Sequence, residues 1–227
     1  MRRLLMIGVL LSACLAAGFP GSGAAANACS GLQRCIEVPG PWVVVPPNGE
    51  VQYLLVCPAK AIAAGTNALV TSQQVEVSFD AILGSPVAYG RSTNYEVLFR
   101  AVSSTHQAGA FKPLLGCLPT PTGVRNTTGV NPVPFGSPLV LVATSIGAAP
   151  GTTRSKTLGC PRYEKLVDSW TAVAFATPAP PKLSLASAVN VTSSLRKGLA
   201  AATVRGTDGL STSDRGEVQL GVRCTPS

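Results

Sequence analysis

Cys57 and Cys160 are each followed by proline, and each is answered by a later cysteine, Cys117 and Cys224, lying 60 and 64 residues further on. This pairing of distances constrains the fold more than any other feature, because a disulfide requires its two Cα atoms to lie within about 7 Å. The ends of each unit must then meet. Of the seven cysteines, Cys14 falls in an apolar leader, and the remaining six, Cys29, Cys35, Cys57, Cys117, Cys160 and Cys224, form an even set of the kind an exported chain oxidises. Spacing favours Cys57–Cys117, Cys160–Cys224 and a short local Cys29–Cys35 loop. In the chain-entropy view each long loop contributes about 4 kcal/mol. No CxxC or HxxxH spacing is present, so no metal is expected, and nothing calls for a cofactor.

The leader begins Met1-Arg2-Arg3, runs through the apolar stretch 4–19, and ends in small residues at Ala26-Asn27-Ala28. That order of charge, grease and Ala-x-Ala is a secretory signal, read here as residues 1–28. Cleavage after Ala28 would expose Cys29; cleavage after Ala26 would expose Asn27. A competing reading makes Leu11-Ser12-Ala13-Cys14 a lipobox, with Cys14 lipidated and the chain tethered to a membrane. The apolar run is shorter than the ~20 residues of a span, so the expected product is secreted or envelope-associated, and touches a membrane only if lipidated.

The two cysteine units look alike. Upstream, Pro41–Val45 answers Pro138–Val142. Downstream, Asn67–Val70 answers Trp170–Val173, Val75–Phe79 answers Lys182–Leu185, and Val97–Arg100 answers Ala202–Arg205. Periodicity within them is two rather than 3.6. Val51, Tyr53, Leu55 and Cys57 share a parity, as do Tyr95, Val97, Phe99 and Ala101, and Val218, Leu220, Val222 and Cys224. Glu217, Gln219 and Arg223 fall on the opposite, solvent side of the last strand. Only 12% of residues are charged, against 23 Gly and 19 Pro, which points away from a helical bundle with its charged outer faces. Short turns of helix are expected only at Pro58–Ala64 and Tyr163–Val167. The expectation is an all-β chain of two tandem immunoglobulin-like β-sandwich modules, each holding one intradomain disulfide. Their bounds are 29–120 and 138–227, joined by a Pro/Gly/Thr-rich linker at 121–137.

The Cys-Pro strand end, the paired-strand middle and the closing Val222-Arg223-Cys224 resemble β-rich modules in uncharacterised exported proteins of high-GC bacteria, here duplicated. The resemblance spans residues 38–227. Those modules carry a Gly-rich segment after Cys-Pro, where this chain has Ala59-Lys60 and Arg162-Tyr163. It implies export and a β-module, and no chemistry.

Candidate chemistry is sparse. The one histidine, His106, lies in Ser103–Gly109 without a Gly-x-Ser-x-Gly elbow or an orienting acid nearby. Paired carboxylates could hydrolyse glycosides, but nothing in the spacing of the ten acids singles out a pair. Trp42 and Trp170 are the candidate binding residues, as stacking platforms; the plainer role for each is core filling. Asn126 and Asn190 match the glycosylation sequon. A formal charge of +8 is spread without a basic run interleaved with aromatics, so no nucleic-acid partner is expected. The expected function is non-enzymatic: an exported binding or structural module for an extracellular protein or cell-wall polymer. The alternatives are a secreted carboxylate-dependent hydrolase and a protease inhibitor presenting the linker or the Ser103–Gly109 loop.

Overall fold

The computed structural model describes residues 27–32, 34–80, 95–119 and 140–226. The expected leader, except Asn27 and Ala28, and the expected 121–137 linker with Asn126 lie outside them. The described chain is all-β. Its strands are β1 (Ile36–Pro39), β2 (Trp42–Val45), β3 (Glu50–Val56), β4 (Ala61–Val70), β5 (Val75–Asp80), β6 (Glu96–Ser103), β7 (Gly109–Pro119), β8 (Val140–Ala148), β9 (Thr153–Gly159), β10 (Glu164–Phe175), β11 (Val189–Arg196), β12 (Leu199–Gly206) and β13 (Gly216–Pro226).

They form three antiparallel sheets, one of seven strands and two of three. In the first half β7 pairs with β4 on one side and with β1 and β2 on the other, while β6 stands between β3 and β5. In the second half β13 pairs with β10 and β8, while β12 stands between β9 and β11. Each half thus places one central strand in the large sheet and one in a small sheet, with β1 an additional partner of β7 in the first half. Three disulfides join Cys29 to Cys35, Cys57 to Cys117 and Cys160 to Cys224, the pairs that the spacing favours. Each long bridge ties a three-stranded sheet to the large one.

The two halves share a sheet. β2 pairs with β7 of its own half and, through Val43–Ala174 and Trp42–Phe175, with β10 of the other. Successive residues of a strand point to opposite faces, and here the two faces serve different cores. Val43, Val45, Ala172 and Ala174 pack under β3, β5 and β6 with Phe99, Phe111 and Leu115. Val44, Val173 and Phe175 pack instead under β9, β11 and β12 with Val204, Val218 and Leu220. The small sheets therefore cover opposite faces of the large one.

The expected parities hold where strands face these cores: Tyr53, Val97, Phe99 and Cys57 are buried in the first, and Val218, Leu220, Val222 and Cys224 in the second. Three expectations are corrected. Pro58–Ala64 and Tyr163–Val167 are not helical; a tight turn follows each Cys-Pro, and the strand begins at Ala61 or Glu164. Lys182–Leu185 is no strand but leads into a 3₁₀ turn at Leu183–Ala188, and β11 occupies the place that β5 holds in the first half. Gln219 is not on a solvent face; it is 5% exposed.

In both turns the third residue takes a left-handed conformation, Lys60 at φ 68° and Tyr163 at φ 70°, and the next N–H donates to the proline carbonyl (Ala61 to Pro58, Glu164 to Pro161, both 3.2 Å). Glycine adopts this backbone without a Cβ penalty, whereas other residues are strained there.

Candidate binding surface

Neither tryptophan offers a stacking face. Trp42 is 4% exposed and Trp170 8%, so the structure assigns both to the interior rather than to a ligand platform. Trp42 lies on β2 opposite Phe175 of β10, and its indole N–H has no partner among the described residues. Trp170 belongs to the seam between the halves. There it packs with Leu54 and Leu98, which lie opposite each other on β3 and β6. These two leucines sit at outward parity on their small sheet, so the outer face of that sheet is itself covered, by Trp170, Leu141 and Ala143 of the second half.

Gln219 closes the seam. Its Oε1 accepts from the Leu54 N–H (2.8 Å) and its Nε2 donates to the Leu54 carbonyl (3.0 Å), so one side-chain amide satisfies the edge of β3 as a neighbouring strand would. The Trp170 indole N–H donates more weakly to the same Oε1 (3.4 Å). Beside it the Tyr53 hydroxyl donates to Glu217 (3.0 Å). Burial, reinforced by the Glu217 charge, raises the Tyr53 phenol far above the usual tyrosine range. The indole lies flat against Gly221, where a Cβ would stand 2.0 Å from the Trp170 ring.

Among the described residues, nothing covers the side of the first half away from the seam. β4 pairs only with β7 and β5 only with β6 among the described residues. Between their free edges lies a groove of about 260 Å³ lined by Thr66, Asn67, Ala68, Val70, Val77, Phe79 and Phe99. Phe79 is 49% exposed, with Val70 and Leu69 exposed nearby on β4. Phe79 continues the inward parity of Val75 and Val77, but at the strand end no facing strand covers it among the described residues. Alternation assigned its face correctly and could not reveal that the face is uncovered.

The titratable groups lie apart. His106 is exposed, and its Nδ1 meets the Asn48 side-chain amide (2.8 Å). The Ser103 hydroxyl is buried and donates to the Gln107 carbonyl, away from His106. Glu50 bridges Arg100, whose guanidinium holds the carboxyl below its usual range. Glu96, Glu217 and Glu164 each line a different shallow groove, singly. Among the described residues no three His, Cys, Asp or Glu side chains gather where a metal could be held. Nor is any helix there long and apolar enough to cross a membrane. Comparison with protein-family models and with curated proteins finds no match.

Proposed function

We propose that this chain is an exported, non-enzymatic protein, built from two immunoglobulin-like modules fused through a shared sheet, that binds an extracellular protein or a cell-wall polymer. The observation that carries the reading is one side of the first half: an edge of β4 with no strand beside it among the described residues, flanked by exposed Phe79, Val70 and Leu69. A surface of this kind accepts an added strand or an apolar ligand face. The corresponding central strands of the two halves and the bridges that tie sheet to sheet support the modular reading, as such inter-sheet bridges recur in immunoglobulin domains. Three disulfides are compatible with an oxidising compartment.

Carboxylates distributed one to a groove do not favour the hydrolase. The Ser103–Gly109 loop, tied inward by Ser103 and Asn48, lacks the extended strand an inhibitor would present. The test is capture from the native cell wall and culture medium by the folded protein, compared with Phe79→Glu and Val70→Lys. A partner retained by the wild type and lost by both variants is expected. Equal capture by all three, or none by the wild type, contradicts the assignment.

A further inference from the structure

A residue on which the fold depends must survive removal of the leader, and this criterion separates the two possible cut points. Ala28 is 4% exposed. Its N–H donates to Glu37 Oε2 (2.9 Å), and its carbonyl oxygen lies over the backbone where β4 and β7 run side by side. A Cβ on Gly65 would stand 2.0 Å from that oxygen, and one on Gly116 2.3 Å, so both strands leave room for this one peptide group. Asn27 also belongs to the structure. Its Oδ1 accepts from the Cys29 N–H (2.7 Å), capping the turn that the Cys29–Cys35 bridge closes. Cleavage after Ala28 would discard both residues, remove the hydrogen bond to Glu37 and leave two glycines facing an empty slot. Cleavage after Ala26 keeps every one of these contacts, and it retains small residues at the first and third positions before the cut, Ala26 and Ala24.

We propose that the processing site is the Ala26–Asn27 peptide bond, two residues earlier than the Ala28 boundary read from the sequence, and that Asn27 is the first residue of the working protein. Hydrolysis by the leader peptidase of the exporting cell breaks that amide. Water supplies the hydroxyl to the Ala26 carboxyl and a proton to the Asn27 amine. The inference rests on the exported reading above, but the two can fail separately.

The experiment is expression of the full chain in a bacterium, recovery from medium or envelope fraction, and intact mass with N-terminal peptide sequencing. An N-terminus at Asn27 is the expected result. An exported chain beginning at Cys29, or one lipidated at Cys14, overturns the cleavage assignment and leaves export standing; a chain retained with its leader overturns both. A second readout is thermal unfolding of Gly65→Ala in the exported protein. The midpoint falls if the Ala28 carbonyl occupies the slot, and an unchanged midpoint overturns the proposal.

Discussion

Gln219→Leu is the most informative single change in the molecule. It preserves volume and the packing of Trp170, but leaves the Leu54 N–H and C=O, both held at 3.0 Å or less, without partners in a buried seam. Each buried backbone group left unpaired costs about 1–3 kcal/mol, so the two together predict a loss of about 2–6 kcal/mol, with the long Trp170 contact adding little. That is a large part of the ~5–15 kcal/mol by which a typical protein is stable. Urea unfolding of the oxidised protein reads the effect as a lower midpoint at unchanged slope. Gln74→Leu, on an exposed side chain, serves as the control and is expected to change stability by less than about 0.5 kcal/mol. If Gln219→Leu lies within that same margin, the side-chain amide is not satisfying the edge of β3, and the seam does not hold the halves as described.

Other outcomes follow from the same geometry. Gly221→Ala drives a methyl into the Trp170 ring and should cost at least about 2 kcal/mol by thermal melting, partly recovered when Trp170→Leu is added; an additive double variant would contradict the contact. Tyr53 has a folded pKa raised above its unfolded value near 10, so its contribution is intact below pH 10 and is lost as pH rises beyond it, when the unfolded chain ionises first. Alkaline unfolding should therefore be less steep in Tyr53→Phe, and ultraviolet titration should show one tyrosine that resists ionisation until unfolding. Lys60→Gly and Tyr163→Gly relieve left-handed strain at equivalent turns, and each should raise stability by up to about 1 kcal/mol. Destabilisation by both would argue that the turns have another conformation.

The sheet faces, the strand character and the sulfur pairs were legible in the sequence because each is a local or periodic signal. Parity identifies a face, and the cysteine separations of 60 and 64 residues single out the two long bridges. The shared sheet was not legible, because its direct pairing is carried by two residue pairs, Val43–Ala174 and Trp42–Phe175, in strands whose composition suits any buried position. The sequence does carry one signal of it: Leu54 and Leu98 are apolar at outward parity, and strand pairing sets them opposite each other. Two such residues on facing strands indicate a covered outer face. Polarity alone places Gln219 at the solvent, since polarity and burial usually exclude each other, and the edge of β3 explains why a buried amide is accommodated there. The tryptophans were ambiguous for the opposite reason: indole suits a core and a platform equally, and only burial decides between them.

The fusion of the halves is tested most directly by nuclear Overhauser contacts between the Trp170 indole and the methyl groups of Leu54 and Leu98 in the oxidised protein. These side chains belong to different halves and pack in one cluster, so strong cross-peaks are predicted. Their absence in a sample that retains contacts within each half, such as Phe99 to Phe111 and Val204 to Val218, would mean two independent sandwiches on a string.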